Sequence, residues 1–196
     1  MTQLVTHVET FDSTAMISDC GTYRYLLRRR VLGSEDRRTL AWLMLNPSTA
    51  DATQDDPTIR KVLGFTSRAG YGRLVVVNLF AWRATDPRAV ASMLRRGPGH
   101  VGERLARAEG PRNRESILHA AEFSAAVVCA WGAMPWAQTQ GGRVVGWLRD
   151  AGATPLCLGT AKSGAPLHPL MPSYDAHPLH PYAPTPTGSG AERKEP

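Results

Sequence analysis

Two apolar segments of the chain end in asparagine, and these two side chains have the chemistry of a binding site. TLAWLMLN ends at Asn46, which Pro47, Ser48 and Thr49 follow, and RLVVVN ends at Asn78. An amide side chain both donates and accepts hydrogen bonds, so Asn46 can hold a water or a phosphate, and Asn78 can read the edge of a base. Turn formation is the alternative interpretation of the Asn46 segment, because Asn before Pro favours extended backbone and nearby hydroxyls bond loose amides.

Three aspartates, Asp51, Asp55 and Asp56, follow the first of these turns. Carboxylates this close repel one another unless they are solvated, paired or metal-bound. An ion pair between Asp56 and Arg60, four residues later, is the simplest explanation. Magnesium binding is the alternative, and we favour it less because no second set of ligands is visible. We therefore expect neither a metal nor another cofactor.

A late histidine, His168, precedes a proline in the segment KSGAPLHPL. Proline holds the preceding residue extended, and a neutral imidazole can then donate a hydrogen bond to a developing oxyanion. A surface loop histidine is the alternative, since the chain has 6 histidines. Trp131-Gly132 follows another apolar segment. Packing is the simpler explanation for this pair, although a glycine there lets a ligand approach the backbone closely.

Apolar strands and amphipathic helices alternate along the chain. Residues 22–31 alternate tyrosine and leucine with Arg24 and Arg28, which predicts a strand with one wet face. Further strands are predicted at 39–46, 73–78, 125–132 and 154–160, and helices at 57–69, 87–94, 114–124 and 141–151. Asp56 before Pro57, and Thr85 or Asp86 before Pro87, are the predicted starts of the first two helices. This order predicts a three-layer α/β/α sandwich with a mostly parallel central sheet. Ligands bind at the carboxyl ends of such strands, so the polar residues described above should share one edge.

The domain organisation follows from composition. Residues 1–21 form an N-terminal segment, residues 22–182 a single α/β domain, and residues 183–196 a disordered C-terminal tail. The Gly-, Arg- and Pro-rich stretch 95–113 is predicted to be a loop or a mobile lid.

Bulk properties limit the partners of the chain. It has 196 residues, 42% of them hydrophobic, and no apolar run of about 18 residues, so we expect no membrane contact. Neither a signal peptide nor a CxxC pair is recognisable, which favours a cytoplasmic location and argues against a zinc site. The net charge of +6 permits a polyanionic partner. We expect a monomer.

The segments MLNPSTAD, DDPTIRK, VVVNLFAWRATDP, GPRN, VVCAWG and CLGTAKSGAPLHPL together resemble an uncharacterised bacterial family, domain of unknown function 1643. This resemblance covers roughly residues 23–171. The order of the motifs (Asn-Pro after one strand, Asn at the end of the next, Trp-Gly, then His-Pro) is also similar to that of the uracil-DNA glycosylase superfamily. The resemblance implies a glycosylase-like fold and the recognition of a base in nucleic acid.

The glycosylase resemblance also implies roles for single residues. Asn46 would position the attacking water, Asn78 would read the base, and His168 would stabilise the leaving base as an anion. Phe80 or Trp82 would stack on the base. Ser48 would line the base pocket, Asp51 is the third candidate catalytic residue, and the candidate phosphate-binding residues are Arg83, Lys162 and Arg60.

The chain departs from the glycosylase pattern at several positions. Asn46 is not a carboxylate and is a poor general base, and Ser48 stands where efficient uracil enzymes carry a bulky aromatic. The late loop reads His-Pro-Leu and lacks a serine, for which Ser163 or Ser173 would substitute. The sequence thus predicts a nucleobase- or nucleic-acid-recognising protein, with a DNA glycosylase as the candidate activity. An enzyme acting on a free nucleotide or modified nucleoside, or a non-catalytic reader of modified bases, is the alternative.

Overall fold

A computed structural model describes residues 13–175 and 178–183. These residues form a mixed α/β arrangement built on one seven-stranded sheet. The strands are β1 (Thr14–Ile17), β2 (Arg24–Arg30), β3 (Thr39–Met44), β4 (Arg73–Asn78), β5 (Ala126–Cys129), β6 (Pro155–Cys157) and β7 (His180–Pro181). The helices are α1 (Pro57–Arg68), α2 (Pro87–Arg96), α3 (Val101–Glu109), α4 (Asn113–Glu122) and α5 (Gln138–Asp150), with a short 3₁₀ turn at Pro135–Ala137.

The sheet has the strand order β1-β2-β4-β3-β5-β6-β7. Its four central strands, from β4 to β6, are parallel, and the strands at both edges are antiparallel to their neighbours. The chain runs from β3 to β4 on one side and then back past β3 to β5 on the other. This reversal makes the carboxyl ends of β3 and β5 a topological switch point, where ligands of α/β sheets bind.

Helices cover both faces of the sheet. Apolar residues of α1 pack with Trp42 and Val76 on one face. Those of α4 and α5 pack with Leu43 and Val77 on the other. A strand between two helical layers must be apolar throughout, which explains why β3 is buried along most of its length. The predicted α/β class is therefore confirmed.

Two helices begin as the sequence predicts. Asp56 caps α1 by accepting a hydrogen bond from the Ile59 backbone N–H at 2.9 Å. Asp86 caps α2 by accepting one from the Arg88 backbone N–H at 2.8 Å. In both cases a proline occupies the first turn, where its missing N–H costs nothing.

The prediction of a loop or lid over residues 95–113 is wrong, because this stretch contains α3. The prolines and most of the glycines lie before and after this helix, and Gly102 lies in its first turn. His100 caps it, and the Arg104 guanidinium donates to the backbone oxygens of Leu94 and Gly99 at 3.0 and 2.6 Å. These contacts tie α3 to the end of α2.

Two short edge strands also lie where the sequence predicts no regular structure. β1 falls inside the segment set apart as residues 1–21, and it pairs with β2. β7 has two residues and pairs with β6. Most of the predicted C-terminal tail, from residue 184 onward, lies outside the described residues. None of the helices in the described ranges has the length and apolar character required to cross a bilayer.

Candidate functional site

A cavity of about 630 Å³ opens at the carboxyl edge of the parallel strands. Its walls come from the segments that follow β3, β4, β5 and β6, together with the start of β2 and the first turn of α1. The sequence predicts that Asn46, Asn78, Trp131-Gly132 and the late histidine loop share one edge of the sheet, and all of them line this cavity. The volume lies within the range of small-molecule binding sites.

Asn78 is the most informative residue of the cavity wall. It is 1% exposed, and neither its Oδ1 nor its Nδ2 has a hydrogen-bond partner among the described residues. Asn113, from the GPRN segment, fixes the backbone here by donating from Nδ2 to the carbonyl oxygens of Asn78 and Leu79 at 2.9 and 3.1 Å. The end of β4 is therefore held in place, while both hydrogen-bonding atoms of the Asn78 amide lack a partner among the described residues.

Asn46 connects two of the loops that form the cavity. Its Nδ2 donates to the backbone oxygens of Ala84 at 2.8 Å and Pro47 at 3.1 Å. The Ala84 backbone N–H donates in turn to the Pro47 oxygen at 3.0 Å. Because Nδ2 is engaged, Oδ1 is the Asn46 atom that remains to accept a hydrogen bond. Ser48 lines the same cavity.

Asp56 brings a carboxylate to the cavity wall. The expected Asp56–Arg60 ion pair is not formed between these described residues. Asp56 Oδ1 caps α1, and the Arg60 Nη1 donates to the backbone oxygen of Asp55 at 2.5 Å. Capping uses one carboxylate oxygen and leaves the other for a water or a ligand. The sequence indicates only the capping role of Asp56, because its position at the cavity depends on where α1 packs.

His168 lines the cavity from the loop after β6. Its Nδ1 accepts from the Leu170 backbone N–H at 3.4 Å, which leaves Nε2 as the nitrogen that carries the proton. Burial lowers the pKa of the imidazole, while the charge of Asp56 acts in the opposite direction. The lowered pKa favours a neutral ring. Gly132 has a φ of 84°, and a Cβ at that position would lie 3.3 Å from the His168 Cβ, so glycine allows the two loops to meet.

Arg24 corrects a prediction made from the strand pattern. The alternation of β2 suggests that Arg24 faces solvent, but it is 2% exposed and lines the cavity. Its Nη1 donates to the Ala50 backbone oxygen at 2.6 Å. Its Nε is buried and has no hydrogen-bond partner in the described part of the chain. Burial lowers the pKa of Arg24 to about 10, so the side chain keeps its charge at neutral pH.

Asp51 and Arg60, two of the candidate functional residues, lie outside the cavity wall. Asp51 Oδ1 accepts from the Thr53 backbone N–H and hydroxyl and from the Gln54 backbone N–H, at 2.8 to 3.0 Å. These bonds lower the pKa of Asp51 and fold residues 51–55, which we call the acidic loop, into a turn. Arg60 is exposed and bonded to the same loop.

Three further candidates also lie beside the cavity rather than on its wall. Phe80 is fully buried and packs against Trp136 with ring centroids 5.7 Å apart, so it has no free face for a base. Arg83 donates from Nη1 to the Gly21 oxygen at 3.2 Å. Lys162 is exposed and adjoins Ala161, a residue of the cavity wall.

Three large apolar side chains surround the entrance. Met134, Leu170 and Met171 line the cavity and are 42%, 50% and 76% exposed. Exposed apolar groups collected at the entrance of a cavity are typical of a contact surface. No group of three or more histidine, cysteine, aspartate or glutamate side chains that could hold a metal ion occurs in the described ranges.

The family model described as Protein of unknown function (DUF1643) matches residues 24–170, more than half of the chain. The chain belongs to this family. The resemblance to domain of unknown function 1643 is therefore confirmed. The DUF1643 region begins at Arg24 and ends at Leu170, both of which line the cavity. Comparison with curated proteins and with solved structures found no match.

Proposed function

We propose that this protein recognises a nucleobase in the cavity and hydrolyses the N-glycosidic bond of a damaged or modified base in DNA. The observation that carries the proposal is the buried Asn78 amide, whose donor and acceptor both lack partners in the described chain. Leaving such groups unpaired costs about 1–3 kcal/mol each. A base edge that offers an acceptor beside a donor would satisfy both atoms at once.

The chemistry requires a water molecule, and two side chains are suited to position it. Asn46 Oδ1 and the uncapped oxygen of Asp56 are acceptors on the cavity wall. Water attacks the anomeric carbon of the sugar, the C–N bond breaks, and its electron pair leaves with the base. Asp56 takes the proton of the attacking water as general base. This assignment supplies the carboxylate that Asn46 lacks.

His168 stabilises the leaving base. A neutral imidazole with its proton on Nε2 donates to the oxygen of the departing anion, and the pKa of His168, which burial lowers, favours that state. One such donor contributes roughly 3–4 kcal/mol to transition-state stabilisation. Gly132 matters here because a side chain at that position would push against His168.

The entrance of the cavity fits a base that leaves a stacked strand. The buried Asn78 cannot be reached by a base inside a duplex, so the nucleotide must be unstacked and turned outward. Apolar side chains such as Leu170 and Met171, exposed at the entrance, are the type that enters the gap left in a base stack. The helices on both faces of the sheet and its parallel centre fit a glycosylase-like α/β/α sandwich, which we include in the proposal.

A base-release assay tests this proposal. Purified protein is mixed with end-labelled single- and double-stranded DNA that carries uracil, hydroxymethyluracil, hypoxanthine or a mismatched base, and alkali reveals abasic sites. Asn78→Leu and His168→Ala are compared with Asp51→Asn, which alters a polar residue outside the cavity wall.

We expect one substrate to be cleaved by the unaltered protein and by Asp51→Asn, and not by the two cavity variants. Binding without release, abolished by Asn78→Leu, would leave base recognition standing and overturn the hydrolase assignment. Cleavage that survives Asn78→Leu would place base recognition elsewhere.

A further inference from the structure

The proposed mechanism does not use Arg24, although this residue lies on the same cavity wall. A buried guanidinium is normally matched by a carboxylate, because a charge removed from water otherwise loses its hydration without replacement. Among the described residues, no acidic side chain forms a salt bridge with Arg24, and its Nε lacks any partner. The nearby Arg29 shows the usual solution, since its Nε lies 2.7 Å from Asp55 Oδ1.

Charges of both signs surround Arg24 without contacting its guanidinium in the described chain. Burial is the main cause of its lowered pKa; the charges of Asp56 and Asp51 raise the pKa, and those of Arg83 and Arg29 lower it. Arg83 also has a buried Nε without a partner in the described part of the chain. Two guanidinium groups with unsatisfied N–H donors near one cavity are the arrangement that binds an oxyanion.

We propose that Arg24 binds a terminal oxyanion of the ligand. The preferred ligand is then a nucleobase compound with an acidic group at its buried end, an inference that rests on the nucleobase function proposed above. Asn78 reads the base and Arg24 binds the acid, within one cavity of about 630 Å³. The acidic group cannot be a phosphodiester. A nucleic-acid strand continues on both sides of each phosphodiester, and there is no room for this next to Arg24, whose side chain is only 2% exposed.

Two compounds carry this chemistry. One is a modified base with a carboxylate substituent, presented by a nucleic-acid strand or as a nucleoside. The other is a free mononucleotide with a terminal phosphate. Both compounds carry an acidic group with two acceptor oxygens, which can accept hydrogen bonds from two N–H groups of the guanidinium. They differ in whether the acidic group is attached to the base or to the sugar.

Thermal stability in the presence of small ligands tests the inference on the full-length protein. The probes are uridine, cytidine and inosine, their 5′-monophosphates, 5-carboxyuridine, 5-carboxycytidine, and inorganic phosphate alone. Arg24→Met removes the charge and keeps the length of the stem, and Arg24→Lys keeps the charge without the fork. Arg28→Met is the matched control, because Arg28 lies on the same strand, is exposed and does not line the cavity.

We expect acidic compounds to bind about 10- to 100-fold more tightly than their neutral counterparts, as hydrogen bonds to charged groups do. Arg24→Met abolishes this preference, Arg24→Lys retains part of it, and Arg28→Met leaves it intact. Preference for the carboxylated nucleosides identifies a modified base, and preference for the monophosphates identifies a free nucleotide. Without ligand, Arg24→Met is expected to be about as stable as the unaltered protein, because the loss of the Nη1 bond to the Ala50 oxygen is offset by removal of a buried charge that has no salt-bridge partner in the described chain.

The opposing outcomes are distinct. If neutral and acidic nucleosides bind equally in the unaltered protein and in Arg24→Met, the acid site is overturned and base recognition stands. If no nucleoside or nucleotide binds with or without an acid, the acid site is overturned, and the base-release assay on DNA decides the proposed function separately. If Arg24→Met unfolds and Arg24→Lys binds acidic and neutral compounds alike, Arg24 is a structural residue and the inference is wrong.

Discussion

The acidic loop and the cavity lie side by side at the edge of the sheet, but they differ in whether their polar groups have hydrogen-bond partners. In the loop, Asp51 accepts three hydrogen bonds and Asp55 is paired with Arg29. In the cavity, Asn78 and Arg24 are more deeply buried than those aspartates, yet they keep unsatisfied polar atoms among the described residues.

This contrast separates residues whose polar groups are bonded within the protein from residues whose polar groups lack a partner in the described chain. Buried polar groups in folded proteins are nearly always hydrogen-bonded, and each exception needs an explanation. The loop shows that the chain can satisfy polar groups in this region. The unsatisfied atoms of Asn78 and Arg24 therefore support the proposal that a ligand binds in the cavity.

The largest effect is expected from Asp56→Asn. Asparagine caps a helix as well as aspartate does, so α1 and the stability of the fold should be unchanged. A general base contributes about 10²- to 10⁴-fold, so the rate of base release should fall by that factor. Asp51→Asn, the matched change in the loop, should leave the rate intact in the same assay. Equal loss in both variants would contradict the distinction between loop and cavity.

The next-largest effect is a difference in unfolding free energy between variants of the two buried asparagines, Asn78 and Asn113. Asn113→Leu removes donors from the backbone oxygens of Asn78 and Leu79 and should cost about 2 kcal/mol of unfolding free energy. Asn78→Leu removes two atoms without partners in the described chain and should leave stability unchanged or raise it by about 1 kcal/mol. Urea unfolding measures both. Similar destabilisation by the two variants would indicate that Asn78 has a structural role.

A smaller effect is expected at the ion pair of the loop. Asp55→Asn weakens a contact to Arg29, whose side chain is 6% exposed, and should cost about 1–2 kcal/mol. Arg29 keeps its bonds to the backbone oxygens of Arg28 and Asp51, which limits the loss. Nucleoside affinity, measured by calorimetry, should not change. A large drop in affinity would show that the loop takes part in binding.

The smallest effect is the pH dependence of stability, which should divide into two windows. Burial lowers the pKa of His168 from 6.5, so the unfolded chain binds its proton first and stability falls as pH decreases from 6.5 through the folded pKa. Hydrogen bonds lower the pKa of Asp51 from 3.8, so its contribution is lost only below that pH. His168→Gln should flatten the melting-temperature profile in the first window, and Asp51→Asn in the second. A profile that His168→Gln leaves unchanged would contradict a buried neutral imidazole.

Much of the fold follows from local patterns. Apolar runs predict β3, β4 and β5, and the Asp-Pro pairs predict the starts of α1 and α2. The sequence pattern does not predict α3, because glycine and proline dominate its flanks, or β1, because an edge strand of four residues has little apolar pattern.

The candidate site follows from the sequence only in part. Asn46, Asn78 and His168 are predictable because each ends a strand or follows one. Arg24 and Asp56 are not, because their positions depend on how β2 and α1 pack at the edge of the sheet. Asn113 carries no local sign of its role, since it supports a strand 35 residues away.

The central claim, that Asn78 is unsatisfied until a base binds, is tested most directly by nuclear magnetic resonance of side-chain amides. The Asn78 and Asn113 signals are assigned from spectra of Asn78→Leu and Asn113→Leu, and the nucleosides and acidic analogues named above are added in turn. We predict that the Asn78 Nδ2 protons move downfield with a binding compound while those of Asn113 stay in place. Asn78 signals that remain unchanged when a compound is shown to bind would contradict the account.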